Sequence, residues 1–140
     1  MARLKIVLPP DWQDVSAENP SGPSTFCRRS ETKSGALQIS IQAEYKGGVI
    51  PNPKPDELIQ FAETTAHNFG QITLRGRSSG KCAIGIYGTV LVSASDFEWV
   101  QVWVLSNSRD FVLATHTCSK EPSPEEVEEA STIVNNAILK

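Results

Sequence analysis

Residues 97–119 read FEWVQVWVLSNSRDFVLATHTCS, two apolar runs divided by the polar tetrapeptide Asn107-Ser108-Arg109-Asp110. Both runs are rich in β-branched and aromatic residues, and the break between them is turn-forming. That is the pattern of two antiparallel strands joined by a short connection. In the first run Phe97, Trp99, Trp103 and Leu105 line one face, and Val100, Val102 and Val104 line the other. A strand apolar on both faces must be covered on both sides, so it belongs in the middle of a sheet. The second run closes on His116 and Cys118. On a strand, positions i and i+2 share a face about 6.5–7 Å apart along the chain. A nucleophile and its base must approach to roughly 3.2 Å, so direct pairing is not expected without distortion. The pair is expected to be a satisfied core histidine and a buried thiol. A zinc site would need at least a third protein ligand, and the remaining candidates, Cys27, Cys82 and His67, have no metal-ligand spacing.

Upstream, QITLRGR (71–77) and KCAIGIYGTVLVSA (81–94) extend the meander, with a turn predicted at Ser78-Ser79-Gly80. Within them GRSSGK (76–81) imitates a phosphate loop. The true motif has four residues between its glycines, a Ser or Thr after the lysine, and a helix whose amides face the phosphate. Here three residues intervene, Cys82 follows Lys81, and a strand comes next. Arg75, Arg77 and Lys81 bracket the predicted turn as a cationic tip. Such a tip either discourages edge pairing or meets an anionic ligand or an acidic partner surface.

Pro55-Asp56-Glu57 has helix-start chemistry, a proline in the first turn and acids at the positive dipole end. Leu58, Phe61, Ala62, Thr65 and Phe69 recur at helical spacing, so an amphipathic helix is predicted over Asp56–Phe69, stopped by Gly70. Earlier still, LKIVL (4–8) and TFCRRS (25–30) are predicted strands, separated by a turn-rich loop. In ALQISIQAEY (36–45), entered through ETKSG, apolar and polar residues alternate as in a half-buried antiparallel strand. Trp12, in the loop, either plugs the end of the sheet or stands exposed as a contact anchor. Trp99 and Trp103 are expected in the core. At the far end, Ser123 and Glu126 have capping-box spacing with Pro124 at the first helical position. Val127, Ala130, Ile133, Val134, Ala137 and Ile138 supply the predicted buried stripe, and Glu125, Glu128 and Glu129 the solvated face. The predicted order is β-β-β-α-β-β-β-β-α: an α+β fold with an antiparallel sheet flanked by two amphipathic helices, in a single domain over 1–140.

Composition agrees with a globular chain. It has 140 residues, 39% hydrophobic and 21% charged, with a net charge of −3. A pI near 5.4 gives no global basic field to hold nucleic acid. No apolar run approaches the roughly 20 residues of a membrane span. MARLKIVLPP has too short an apolar segment for a secretory leader, which predicts a cytoplasmic protein. Three cysteines with no CxxC argue against a disulfide framework.

The opening Pro9-Pro10-Asp11-Trp12, the strand–turn–strand into LQISIQ, the Pro-Asp-Glu helix start, the Trp-containing strand and FVLATHTCSKEPSPEEVEEASTIVNNAI together resemble one superfamily. It comprises the photosystem II extrinsic protein PsbP, the Ran-binding import factor Mog and their bacterial relatives. In these relatives too the last strand runs into a Pro- and Glu-rich helix start and a closing amphipathic helix. The resemblance covers nearly the whole chain and implies an α/β/α sandwich. It also implies a role in binding other proteins, since catalysis is not the common property of the group; no shared functional residue set carries over to positions here.

The sequence therefore predicts a non-enzymatic protein–protein interaction domain of accessory, adaptor or immunity type. Trp12, Arg75, Arg77 and Lys81 are the candidate binding residues, and no catalytic set, metal or cofactor is expected. The alternative is a small-molecule binder or enzyme with a cleft near Trp12 and His116.

Overall fold

The computed structural model describes residues 3–18, 22–29, 35–42 and 53–139. The strands are β1 (Leu4–Lys5), β2 (Trp12–Asp14), β3 (Ser24–Arg28), β4 (Ala36–Gln42), β5 (Ile72–Lys81), β6 (Ile86–Ala94), β7 (Trp99–Ser106), β8 (Phe111–Cys118) and β9 (Ile138–Leu139). The helices are α1 (Pro55–Ala66), which follows β4, and α2 (Pro124–Asn136), which follows β8. Seven strands form one antiparallel sheet in the order β2-β3-β4-β8-β7-β6-β5. The fold is thus α+β, with a large antiparallel sheet and two helices.

β7 sits inside the sheet, as its two apolar faces require. Trp103 and Leu105 pack with Trp12, Leu37, Ile39 and with Ala130, Ile133 and Val134 of α2. Val100, Val102 and Val104 pack with Val90, Val92 and with Leu58, Ala62 and Ala66 of α1. The alternation along one strand therefore sorts the core into two clusters, one that includes residues of α2 and one that includes residues of α1. α1 approaches β6 so closely at Gly88 that an added Cβ would lie 2.7 Å from the Leu58 carbonyl carbon. α1 opens on Pro55 as predicted, with Glu57 Oε1 accepting from the Lys54 N–H at 2.9 Å, and a 3-10 turn, His67–Phe69, carries it to Gly70.

Four sequence expectations change. The predicted LKIVL strand is reduced to β1, which pairs with β9 apart from the main sheet. The predicted loop after it contains β2 and a 3-10 turn, Ser16–Glu18, so Trp12 begins an edge strand. The predicted turn at Ser78–Gly80 is absent: β5 runs on, with Ser78 opposite Thr89, Ser79 opposite Gly88 and Gly80 opposite Tyr87. The chain turns at 82–85, where the Cys82 N–H donates to the Gly85 carbonyl at 3.0 Å. Small polar residues suit an edge strand wetted on both faces, which is why they look like a turn in the sequence. Last, α2 buries Glu126 where Val127 was expected; Val127 is only half-buried. The ETKSG turn up to residue 34, the predicted strand end at 43–45 and the linker through residue 52 lie outside the described residues.

Candidate functional site

His116 and Cys118 lie on the face of β8 that carries Val112 and Ala114, under the first turn of α2. Pro124 starts that helix and the Ser123 hydroxyl accepts the Glu126 N–H at 3.2 Å. The Glu126 carboxylate does not close the predicted capping box. It turns inward, where Oε2 accepts the Gly35 N–H at 3.0 Å and lies 2.8 Å from His116 Nε2. Cys118 Sγ lies 3.6 Å from the same oxygen and 3.4 Å from the same ring nitrogen. His116, Cys118 and Glu126 are exposed by 0%, 4% and 1%, so the cluster is sealed.

The expectation that strand spacing would keep the histidine and the thiol apart is therefore wrong. Side chains lean along a strand as well as standing off it, and both reach toward the carboxylate. The residue missed in the sequence is Glu126, and the missing third donor is not Cys27, Cys82 or His67. Cys27 and Cys82 are half-buried free thiols elsewhere, and His67 is exposed.

Proximity alone does not make a relay. In a thiol–imidazole–carboxylate relay the thiol addresses one ring nitrogen and the acid the other, so that the ring can take one proton while holding another. Here both converge on Nε2, and Nδ1 is buried with no hydrogen-bond partner among the described residues. Burial pushes the Cys118 thiol well above its ordinary range, reinforced by the Glu126 charge and hydrogen bond. Burial also opposes ionisation of Glu126. The hydrogen bonds from His116, Gly35 and Cys118, with the charge on His116, outweigh it and leave that carboxyl below its ordinary value. A thiol held protonated beside a carboxylate held ionised is the opposite of an activated nucleophile.

A second inward-facing polar group lies beside it. Arg28 of β3, 6% exposed, places Nε 3.3 Å from Glu129 Oε1, with Glu125 at 3.8 Å and Asp11 at 3.9 Å. The Trp12 indole N–H donates to Glu129 at 3.4 Å. Two acids of the predicted solvated face thus have a cationic partner within the chain. Trp12 is 1% exposed, so it is a core residue and not a contact anchor. With His116 also sealed, the two line no cleft, and the alternative reading built on one between them is set aside.

The remaining candidates fall on the outer strand. Arg75 pairs with Glu121 at 2.7 Å and stacks over the Trp99 ring at 5.1 Å, while Arg77 pairs with Glu63 of α1 at 2.8 Å. Lys81 is exposed at the end of β5. The three cations are strung along a ten-residue strand rather than gathered at a tip. Elsewhere an open depression of about 870 Å³ is lined by His67, Gly70, Ile72, Thr73, Ser93 and Ser95. Among the described residues no helix is long and apolar enough to cross a membrane.

No protein-family model matches the chain, and no curated protein matches it at a significant level. Solved structures do. The chain is similar to the cyanobacterial PsbP (CyanoP) of Synechocystis sp. PCC 6803 over 98% of its length and 92% of that chain, at 13% identity and a TM-score of 0.57. It is also similar to LpqN of Mycobacterium tuberculosis, a protein involved in cell envelope biogenesis, over 100% of its length and 84% of that chain, at 13% identity and a TM-score of 0.64. At such identity the likeness speaks for architecture alone: the chain has a PsbP-like fold.

Proposed function

We propose that this chain is a single, non-catalytic accessory domain that works by binding another protein along the outer edge of β5. The observation that carries the reading is the contrast between its two ends of chemistry. The clustered donors His116, Cys118 and Glu126 are sealed, whereas β5 presents ten residues at the end of the sheet, most of them exposed. Leu74, 39% exposed, stands on this strand between polar neighbours. An extended segment of a partner adds to such an edge through main-chain hydrogen bonds. Arg75, Arg77 and Lys81 favour an acidic segment and disfavour a second copy, which would bring like charges together. The surface ion pairs of Arg75 and Arg77 are weak enough to be exchanged for those of a partner.

The alternation on β7, with one helix associated with each set of side chains, supports the sandwich arrangement inferred from the sequence. Three free thiols suit a reducing, cytoplasmic setting, while the likeness to LpqN favours an envelope-associated one; cell fractionation separates the two. The function is tested by placing a photo-crosslinker at Leu74 or Ser79 in the native host. A single acidic partner should be captured, and in purified form it should slow amide exchange in β5. Cross-links confined to other surfaces, or turnover of a small molecule by the pure protein, would sink the proposal.

A further inference from the structure

The convergence of His116, Cys118 and Glu126 has a second consequence. A hydrogen-bonded chain runs donor to acceptor in series, but here one possible ligand atom from each residue lies close to both of the others, all within 4.8 Å of one another. Zinc–ligand bonds of about 2.0–2.3 Å set tetrahedral edges of about 3.3–3.6 Å between sulfur, nitrogen and oxygen. The two edges from Cys118 Sγ, 3.4 Å to His116 Nε2 and 3.6 Å to Glu126 Oε2, already have that length. The third, 2.8 Å between His116 and Glu126, needs to open by about half an ångström. Both ligand-bearing elements are regular: β8 holds two ligands by its pleat, and the first turn of α2 holds the third.

We infer that this cluster is a buried site for one zinc ion, with His116, Cys118 and Glu126 as protein ligands and water as the fourth. Charge favours it. A divalent ion with one thiolate, one carboxylate and one neutral imidazole makes an uncharged unit, the form that burial penalises least. On binding, the thiol proton leaves to solvent, and any proton carried by His116 Nε2 leaves that atom for Nδ1 or for solvent. Affinity therefore rises with pH. The Gly35 N–H remains on Glu126 and orients the ligating carboxylate, the outer hydrogen bond such ligands need. Gly35 itself has no room for a side chain, since an added Cβ would overlap Cys118 Sγ and lie 2.6 Å from the Thr117 carbonyl oxygen. The site lends rigidity between β8 and α2, and it does not depend on what β5 binds.

The test uses metal-free full-length protein titrated with Co²⁺. One equivalent should produce thiolate-to-cobalt charge-transfer absorption in the near ultraviolet and the intense visible bands of a tetrahedral ion, both discharged by Zn²⁺. Cys118→Ser should abolish the charge-transfer band, and Glu126→Gln should weaken Co²⁺ binding at least tenfold. A Cys27→Ser/Cys82→Ser double variant, which keeps Cys118 as the sole thiol, should retain the full spectrum and guards against a misfolded Cys118 variant. Absence of the band in the native chain, or its loss in the double variant, would overturn the assignment.

Discussion

Glu126→Ala, measured by urea unfolding at pH 7 in EDTA, removes the acceptor on which two hydrogen bonds of 3.0 Å or less and one thiol contact converge. The Gly35 N–H and the His116 ring are then left in a region with almost no solvent access. Each stranded buried donor costs about 1–3 kcal/mol, so the two together cost about 2–6 kcal/mol. Relief of the carboxylate's own desolvation offsets part of that. A chain of this size has about 5–15 kcal/mol to lose, so Tm should fall by roughly 10–15 °C. Replacing both partners by apolar residues of similar shape, as in Glu126→Leu with His116→Phe, should cost about 1–3 kcal/mol less than the sum of the two single changes. If Glu126→Ala cost under about 0.5 kcal/mol, as a solvent-facing acid would, or if the double change were simply additive, the cluster would not be the buried network described.

The same groups set a pH window. Because the folded Glu126 carboxyl is held below its ordinary 4.5, its stabilisation is complete above about that pH and lost as pH falls through the folded value. Because the folded Cys118 thiol is held above its ordinary 9.0, its share is complete below about pH 9 and lost as pH rises. Denaturation curves should thus weaken at both ends, and Cys118→Ala should flatten the alkaline limb; an unchanged alkaline limb would contradict the burial of that thiol. Trp12→Ala should cost about 3–5 kcal/mol by calorimetry or denaturant midpoint, as for a core aromatic. Gly88→Ala should lift α1 from β6 at a cost of about 1–3 kcal/mol, visible as faster amide exchange in α1. Equal exchange in the two proteins would mean that the helix is not seated there.

What the sequence revealed depended on whether a residue's surroundings followed the local pattern. β7 and β8 were legible because both faces are covered and their apolar side chains alternate, although Phe97, just before β7, packs with the α1 cluster and not on the Trp103 face where the pattern placed it. The second half of β5 was not legible, because an edge strand wetted on both faces needs no apolar residues, so Arg-Ser-Ser-Gly-Lys looks like a turn. Trp12 looked loop-bound because two prolines and turn formers surround it, and its burial comes from residues far away, Glu129 among them. Glu126 was the costliest miss. An acid in a helix's first turn is ordinarily read as a complement to the dipole. Yet 126, 130, 133, 134 and 137 fall on one helical face, and counting the stripe from Ala130 backward would have placed a carboxylate in the core opposite His116.

The seal around that carboxylate is tested most directly by the native-state reactivity of the three thiols toward an aromatic disulfide reagent, followed residue by residue by mass spectrometry. Cys27 and Cys82, half-buried, should label in the folded protein, whereas Cys118 should label only on the timescale of global unfolding. Labelling of Cys118 at a rate comparable to the other two, under conditions where the chain stays folded, would contradict the sealed cluster on which the functional reading rests.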